Sequence, residues 1–375
     1  MTAPLKVLHV SESNQWSGGA AQLLALAAGL KAKGWQCRVV CRPGSGLSTA
    51  AAAADLPIFH LPIRQDYDLL SAWKLARFVK SEGIAVLHSH HSRSHGVCLL
   101  AKLLLKLSGR RVALVVSRRV SFAVGKNPFS ALKYRSRLID SYVAVAEAVK
   151  DVLVKSGVDP ARIAVIRSGV DVSRFSPRPP DPAIVRELGL PKDTPVIGKI
   201  ANAAPWKGQT IFLEAAAILV GKGRKVHFLL AGRDTMGTWI REQVAQFGLA
   251  KHVTLAGFRK DVPDILPCLA VSVNAAVGGE GLSGALRESL CMGVPIVASD
   301  MAGNRELLFG SDPRFLFPPG DARALAERIE WVMDHGKEVQ AAVTVWRKKL
   351  DAEFSVEQMV ARTAELYLRL LRQSS

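Results

Sequence analysis

The sequence predicts an α/β protein of two doubly wound, Rossmann-like domains that face each other across a cleft. Two observations indicate this fold. Short apolar runs alternate with helical patterns along most of the chain, and the alternation stops and restarts near the middle. The length of 375 residues agrees with two domains, because a single domain usually holds about 100–200 residues. Continuous apolar strands that alternate with helices are typical of parallel sheets covered on both faces.

The first half of the chain supplies six predicted strands. They lie at residues 6–10, 36–41, 58–61, 85–88, 112–116 and 141–145. Helical periodicity appears between them at residues 20–33, 69–80, 96–107 and 147–155. The Gly44-Ser45-Gly46 sequence is expected to be an ordinary loop.

A segment rich in Pro, Ser and Asp, residues 168–182, separates this series from a second one. The second series has predicted strands at 195–201, 226–231, 253–256, 269–274 and 295–299, and helices at 209–220, 239–247 and 284–292. The chain after Asp321 is predicted to be helical. We therefore expect domains at 1–175 and 176–355, with a C-terminal helix at 356–375 that packs back toward the first domain.

Composition excludes several classes of protein. Hydrophobic residues make up 49% of the chain and charged residues 22%, which excludes a wholly disordered protein. No apolar run reaches the roughly 18 residues that a membrane-spanning helix requires. The N-terminus lacks the pattern of a secretory signal, and the five cysteines show no CxxC spacing. These features predict a cytoplasmic protein with reduced thiols.

Charge is distributed unevenly between the halves. Residues 1–175 contain 25 basic and 10 acidic residues, a net charge of +15, whereas residues 176–375 contain 25 and 22, a net charge of +3. This asymmetry indicates that the first half meets an anionic partner: nucleic acid, an anionic membrane surface or a phosphorylated substrate. A role in solubility alone would not explain the difference.

The segment GGEGLSGALRESL, followed by the buried-strand pattern GVPIVAS, has the strongest functional pattern. Glu280 lies in a glycine-rich loop, and Glu288 lies one to two turns inside the helix that begins near Ser283. A helix N-terminus can hold a diphosphate, and the two carboxylates can accept hydrogen bonds from sugar hydroxyls. The alternative for Glu288 is an exposed helix position.

Two further motifs are weaker. Gly18-Gly19 precedes a helix, where backbone N–H groups can hold a phosphate, although a tight turn that needs positive φ explains it equally well. Lys207-Gly208 precedes an amphipathic helix, where the lysine can neutralise phosphate charge or be an ordinary surface residue.

In combination these motifs resemble the retaining GT-B glycosyltransferases of glycosyltransferase family four. The match comprises the Gly18-Gly19 loop, the Lys207-Gly208 site and the E-x7-E element EGLSGALRE, and the intervening SYVAVAEAVKDVLVKSGVDPARIAVIRSGVDVSRF resembles the family's interdomain segment. The resemblance implies a nucleotide-diphospho-sugar donor, UDP-sugar by preference, as co-substrate of the second domain. It also implies an acceptor bound by the first domain and neither a cofactor nor a metal.

The resemblance assigns roles to named residues. Glu280 would contact the donor sugar and, with Lys207, act in catalysis, while Glu288 would bind the ribose. The diphosphate would be held by Lys207 and by the N–H groups of Ser283, Gly284 and Ala285, with Gly18 and Gly19 closing over it. The base would lie near Gly232, Arg233 and Phe258, beside Arg259.

This sequence departs from the family pattern at two places. Many relatives have an arginine five or six residues before the lysine, where Ala201 and Asn202 stand here, so Asn202 can donate a hydrogen bond but supplies no charge. Many also have a histidine in the turn where Arg118 and Arg119 stand. These two arginines, with His88 and His90 at a strand end, are the candidate acceptor-binding residues. Zinc binding by the cluster His88, His90, His91 and His95 is the less favoured interpretation.

The acceptor is predicted to be a glycolipid or an oligosaccharide of lipopolysaccharide type. Cations interleave with aromatic residues between residues 118 and 137, which suits peripheral binding to an anionic membrane at its inner face. The set is Arg118, Arg119, Phe122, Lys126, Phe129, Lys133, Tyr134, Arg135 and Arg137. The rival functions are a nucleotide-sugar epimerase of the same architecture and a nucleic-acid-binding protein, the latter disfavoured by the 6% aromatic content and the lack of a recognition motif.

Overall fold

The computed structural model describes residues 5–124, 128–310 and 312–373, and for residues 128 and 129 it describes the backbone alone. The chain divides into two compact units. Unit 1 comprises Met1–Gly169 together with Val356–Ser375, and unit 2 comprises Val170–Ser355. The boundary therefore falls between Gly169 and Val170, earlier than the boundary predicted after residue 175.

Unit 1 contains a parallel sheet whose described strands run in the order β3-β2-β1-β4-β5-β6-β7. The strands are β1 (Lys6–Val10), β2 (Gln36–Cys41), β3 (Ile58–His60), β4 (Val86–Ser89), β5 (Ala113–Arg118), β6 (Ser141–Ala144) and β7 (Ile163–Val165). The helices are α1 (Gly18–Ala32), α2 (Gly46–Ala53), α3 (Leu69–Glu82), α4 (Ser92–Leu107), α5 (Pro128–Arg135) and α6 (Glu147–Lys155). The strand order reverses between β1 and β4, which is the position where doubly wound sheets bind ligands.

The predicted loop at Gly44–Gly46 is confirmed for Gly44 and Ser45, but helix α2 already begins at Gly46. Ser45 is the N-cap of this helix, its side chain accepts a hydrogen bond from the N–H of Ser48, and Gly46 is the first helical residue. Four alanines follow in the helix, and alanine is the residue with the highest helix propensity. The glycines alone indicate a turn, but the N-cap serine and the four alanines stabilise a helix here.

Unit 2 contains a second parallel sheet, with the described strands in the order β10-β9-β8-β11-β12-β13. The strands are β8 (Val196–Ile200), β9 (His227–Ala231), β10 (Val253–Gly257), β11 (Val271–Asn274), β12 (Ile296–Ser299) and β13 (Leu316–Phe317). The helices are α7 (Pro182–Glu187), α8 (Gln209–Gly221), α9 (Thr238–Gln246), α10 (Val262–Ile265), α11 (Gly284–Cys291), α12 (Ala302–Leu307), α13 (Ala322–Asp334) and α14 (Gly336–Glu353). The order reverses between β8 and β11. The predicted fold class of two doubly wound domains is confirmed.

The last helix, α15 (Val356–Gln373), belongs to unit 1 and packs against α1. Its buried face carries Met359, Val360, Leu366, Tyr367 and Leu370, which join the core formed by α1 and the sheet. The opposite face is charged, so the amphipathic pattern of the helix determines which side is buried. None of the described helices combines the length and the apolar composition that crossing a membrane would require.

We predict that Tyr367→Ala destabilises unit 1 by about 3–5 kcal/mol, because truncation of a fully buried aromatic side chain leaves a cavity. The measurement is urea-induced unfolding followed by circular dichroism. Leu368→Ala is the matched control on the same helix, since Leu368 is 37% exposed. Equal shifts of the unfolding midpoint in the two variants would contradict the packing of α15 described above.

Candidate functional site

The candidate site of unit 2 lies where the strand order reverses, at the carboxyl ends of β8 and β11. Ligands of doubly wound sheets bind at this position because the loops from the two strands diverge there. After β8, the chain passes through a 3-10 turn, Pro205–Lys207, to Gly208. Gly208 has φ +70°, and a Cβ atom at this position would lie 1.8 Å from the carbonyl oxygen of Ala275. Only glycine allows the two loops to approach this closely.

The centre of the site is an ion pair between Lys207 and Glu280. Nζ of Lys207 lies 2.7 Å from Oε1 of Glu280, and both side chains are largely shielded, with 21% and 13% of their surface exposed. Asn274, the last residue of β11, donates from Nδ2 to Oε2 of Glu280 at 2.8 Å. Two residues separated by 73 positions in the sequence are thus held together at the end of the sheet.

The surroundings of Glu280 keep its carboxylate ionised. Burial alone would raise its pKa, but the charge and hydrogen bond of Lys207, the hydrogen bond from Asn274 and the charge of Lys199 outweigh burial. The pKa of Glu280 is therefore below its ordinary value. A negative charge is fixed in a sheltered position at neutral pH.

Helix α11 begins beside this ion pair. Ser283 is its N-cap, and Oγ of Ser283 accepts hydrogen bonds from Nδ2 of Asn274 at 2.9 Å and from the N–H of Leu286 at 3.4 Å. Gly284 and Ala285 are the first two residues of the helix, so their N–H groups have no acceptor within the helix. Asn274 bridges Glu280 and the helix cap and thereby sets the distance between the carboxylate and the helix N-terminus.

Glu288, on the second turn of α11, is partly buried, so the alternative of a fully exposed position is excluded. Burial raises its pKa to about 7, although the charges of Arg287 and Arg174 act in the opposite direction. Because the pKa is raised, Glu288 is protonated below pH 7 and ionised above it. The ionised form is the stronger acceptor for hydroxyl groups.

Asn202 and Arg233 are joined at the ends of β8 and β9. The N–H of Arg233 donates to Oδ1 of Asn202 at 3.0 Å. At Gly232, which has φ +150°, a Cβ atom would lie 2.1 Å from the carbonyl oxygen of Ala201. The side-chain oxygen of Asn202 is therefore engaged in holding the β9 loop, which leaves only its Nδ2 for a diphosphate.

The predicted base-binding region contains Phe258 and Arg259 after β10. The Phe258 side chain is 46% exposed. Arg259 is paired with Asp261 at 2.5 Å and also with Glu187. The ring of Phe258 is therefore accessible for stacking, whereas the guanidinium of Arg259 is engaged by two carboxylates.

In unit 1, Gly18 and Gly19 are the first two residues of α1 rather than a preceding turn. Ser17 is the N-cap, and its side chain accepts from the N–H of Ala20. Neither glycine has positive φ, so the tight-turn alternative is wrong. At Gly19 a Cβ atom would lie 2.9 Å from Nε2 of His91, whereas nothing lies within 4 Å of one at Gly18. The close approach of His91 explains why a glycine stands at position 19, whereas the space around Gly18 would admit a side chain.

His88 and His90 are buried at the end of β4, together with His9 of β1, and their ring nitrogens lie within 4.8 Å of one another. Burial and the charge of Arg119 lower the pKa of all three histidines, so the rings are neutral. His88 bonds Tyr367 at 2.5 Å and Ser117 at 2.8 Å. His88 is therefore enclosed and engaged by neighbouring side chains, and its role toward an acceptor stays a prediction.

Arg119 determines the protonation of this cluster. Its guanidinium can only donate, and Nη2 lies 3.2 Å from Nδ1 of His90. Nδ1 therefore accepts, and the proton of His90 resides on Nε2. Nε2 then donates to Nδ1 of His9 at 3.0 Å. His90 is 3% exposed, whereas Arg119 is partly exposed. Arg119 is therefore the member of this group that reaches solvent.

The basic-aromatic segment is less exposed than predicted. Nζ of Lys133 pairs with Asp66 at 2.8 Å, and Tyr134 is only 5% exposed. Arg118 donates to Tyr134 at 2.8 Å and to the carbonyl of Phe122. Lys126 and the Phe129 side chain lie outside the described residues. Lys133 and Tyr134 are therefore largely shielded within unit 1, which corrects their place in the predicted surface, whereas Phe122, Arg135 and Arg137 are exposed.

Sequence reasoning missed four residues that the fold brings to these sites: Lys199, His9, Asn274 and Arg287. Lys199 lies in the apolar strand β8 and is 2% exposed, and Arg287 is 4% exposed. The available signal was a charged or polar residue inside an otherwise apolar strand or helix, which is rare unless the group is paired or functional.

Comparison with known proteins agrees with this geometry. A family model described as "Glycosyl transferases group 1" matches residues 194–335, and one described as "Glycosyltransferase Family 4" matches residues 16–174. The chain is 24% identical over 317 residues to the UDP-Gal:alpha-D-GlcNAc-diphosphoundecaprenol alpha-1,3-galactosyltransferase of Escherichia coli, covering 81% of this chain and 80% of that protein. It is 26% identical over 215 residues to the lipopolysaccharide core biosynthesis mannosyltransferase LpsB of Rhizobium meliloti, covering 56% and 61%.

The fold also matches a solved structure along nearly its whole length. The structure of Anabaena Alr3699/HepE in complex with UDP and glucose superposes with a TM-score of 0.81 at 18% identity, covering 96% of this chain and 99% of that one. The similarity establishes the GT-B fold. The two family models, which between them span most of both units, show that the chain belongs to the group 1, family 4 glycosyltransferases.

Proposed function

We propose that this protein transfers a sugar, with retention of configuration, from a UDP-sugar to a hydroxyl group of a lipid-linked or lipopolysaccharide-type saccharide. The observation that carries the proposal is the Lys207–Glu280 ion pair beside the N-terminus of α11. It combines a cation and helix N–H groups for a diphosphate with a carboxylate for the sugar. The names of the E. coli and R. meliloti relatives support the choice of donor and acceptor.

In the proposed reaction, the bond between the sugar's anomeric carbon and the diphosphate oxygen breaks. The acceptor hydroxyl forms the new bond on the same face, and the departing diphosphate oxygen takes the hydroxyl proton. Lys207 donates one N–H to Glu280 and keeps two for the diphosphate, where negative charge develops. The carboxylate of Glu280 stabilises positive charge on the sugar without forming a covalent bond to it.

We predict that Glu280→Gln lowers kcat by about 100-fold or more, because the side chain keeps its size but loses the charge aimed at the reacting sugar. The measurement is release of UDP from the donor in the presence of acceptor or water. Glu242→Gln, at an exposed position on α9, is the control and should retain wild-type turnover. Unchanged turnover in Glu280→Gln would remove the carboxylate from the proposed mechanism.

The proposed mechanism uses no metal. Lys207 and the N-terminus of α11 supply the positive charge that a divalent cation would otherwise bring to the diphosphate. In unit 1, binding of a metal by Nε2 of His90 would require the proton to move to Nδ1, against the guanidinium of Arg119. The histidine cluster is therefore better suited to accept a hydrogen bond from Arg119 than to bind a metal ion.

We predict that excess chelator leaves the transfer rate within about twofold of the untreated value, because the diphosphate charge is met by fixed protein groups. The assay compares dialysed protein with and without chelator, and then with added Mg²⁺ or Mn²⁺. Loss of activity that either metal restores would overturn metal independence.

We further propose that unit 1 binds an anionic membrane surface through the α3 patch, defined as Tyr67, Leu69, Leu70, Trp73, Lys74 and Arg77. The four apolar side chains of this patch are 47–69% exposed, and the guanidinium of Arg77 lies 4.8 Å from the centre of the Trp73 ring. Exposed apolar side chains beside cations suit the boundary between lipid headgroups and acyl chains. Because α3 follows β3, its first turn lies at the same edge of the sheet as Arg119.

We predict that the double variant Leu70→Ser/Trp73→Ser weakens binding to vesicles that contain anionic lipid by about 10-fold or more, since each buried apolar side chain contributes about 1.5–3 kcal/mol. Sedimentation with vesicles of graded anionic content measures the binding. Leu103→Ser/Leu107→Ser is the control, because these leucines are also exposed but lie in the last turns of α4, toward the opposite edge of the sheet. Equal binding by the two double variants, or indifference of the wild type to anionic lipid, would refute the α3 patch.

A further inference from the structure

Lys199 is a buried lysine on an internal strand of the sheet in unit 2. It lies on β8, pairs in register with Leu230 of β9, and is 2% exposed. Within the described part of the chain its ammonium makes neither a hydrogen bond nor a salt bridge. A buried cation without a partner is energetically costly, so its presence in an apolar strand requires an explanation.

The side chain of Lys199 lies within electrostatic range of the candidate site. Burial lowers its pKa to about 7, the charge of Glu280 acts to raise it, and the charge of Lys207 lowers it further. The carboxylate oxygens of Glu280 are already bonded to Lys207 and Asn274. Lys199 is the fourth of the five residues of β8, the strand that leads to Lys207, and β8 pairs with β11, which ends at Asn274. Lys199 therefore lies next to the strand ends that carry the ion pair but is not bonded to Glu280 or Lys207.

The charges of the residues near Lys199 indicate that this lysine could bind a diphosphate. The charge of Lys207 is partly offset by Glu280, so Lys207 and the N-terminus of α11 meet only part of the charge of an incoming diphosphate. Arg287 of α11 is buried, and its Nε is bonded to the carbonyl of Ser283 at 3.3 Å. Asn202 uses its side-chain oxygen to hold the β9 loop. A protonated Lys199 would give the site the additional positive charge that a diphosphate requires.

We propose that Lys199 is a further donor-binding residue: its ammonium contacts the diphosphate of the nucleotide sugar beside Lys207, and the lysine takes up a proton from solvent when the diphosphate binds. The inference rests on the proposed nucleotide-sugar donor. In the free protein the side chain is largely neutral at the upper end of physiological pH, which relieves the cost of burying it. Binding of the anion stabilises the charged form and thus couples affinity to proton concentration.

The sign of the pH dependence follows from the direction of the shift. Below pH 7 Lys199 is charged before the ligand arrives, and above pH 7 each unit of pH should weaken diphosphate binding by up to about tenfold. The terminal phosphate of UDP, with a pKa of about 6, is about nine-tenths ionised at pH 7 and changes little above it, so it contributes little to the pH dependence between pH 7.5 and 8.5. Glu288, whose pKa is about 7, acts in the opposite sense, because its ionisation on binding would release a proton.

The test is isothermal titration calorimetry of the 375-residue chain with UDP, GDP and ADP at pH 6.5, 7.5 and 8.5, in two buffers of different ionisation enthalpy. The wild type should take up as much as about 0.7 proton at pH 7.5 on binding its preferred diphosphate. Lys199→Met should weaken that binding by about 10- to 100-fold and abolish the proton uptake. Uridine, which lacks the diphosphate, serves as the ligand control and should bind both proteins equally.

Lys225→Met is the matched protein control, because Lys225 is exposed in the same unit and should behave as wild type. Lys199→Met should also raise the melting temperature of the ligand-free protein, since it removes a buried amine without a partner. Should this variant not fold, Lys199→Arg supplies a permanent charge and should bind the diphosphate without proton uptake. Repeating the titrations in Glu288→Gln separates the contribution of the glutamate.

The outcomes distinguish this inference from the proposed function. If the wild type binds none of the three diphosphates, the proposed function is wrong and the role of Lys199 falls with it. If the wild type binds one of them and Lys199→Met matches it in affinity and proton uptake, the proposed function stands and the role of Lys199 is wrong. If Lys199→Met loses affinity for uridine and for the diphosphate to the same degree, the donor-binding role of Lys199 is also wrong, because that pattern indicates a purely structural lysine.

Discussion

The ion pair between Lys207 and Glu280 is the interaction on which the candidate site depends. It joins the loop after β8 to the loop after β11 at the point where the strand order of unit 2 reverses. Asn274 extends the same contact to the cap of α11, so cation, carboxylate and helix N-terminus form one connected group. Because the pair is largely shielded from water, its charges are screened little and keep a defined geometry.

The polar centre of unit 1 is a different group: three neutral histidines, of which His90 accepts a hydrogen bond from Arg119. The guanidinium fixes the proton of His90, His90 bonds His9, and His88 is bonded to Tyr367 of the last helix. Helix α15 therefore packs into the interior of unit 1, although the rest of that unit ends at Gly169 and all of unit 2 lies between them in the sequence. These hydrogen bonds hold the partly exposed Arg119 against buried side chains, although Nε2 of His9 is buried without a hydrogen-bond partner among the described residues.

Family membership and fold class were predictable because they depend on patterns that the sequence displays directly. The alternation of apolar strands with helices appears as periodicity, and the motif around Glu280 appears as a glycine-rich loop followed by a helix. The roles of Glu288, Gly18 and Phe258 toward a ligand stay predictions. The exposure of the basic-aromatic segment was overestimated because the sequence does not reveal that Lys133 meets Asp66 or that Tyr134 is enclosed.

The sequence by itself determined the two parallel sheets, the position of the helices and the residue types at the loop ends, since these depend on local pattern and hydrophobic burial. Only the tertiary structure decided which distant residues meet. Lys199 reads as one basic residue among 50 until β8 places it inside the sheet near Glu280 and Lys207. His9 has no distinguishing pattern until its strand pairs with β4. The physical reason is that charge and hydrogen bonding act through distance and burial, and both are properties of the folded chain.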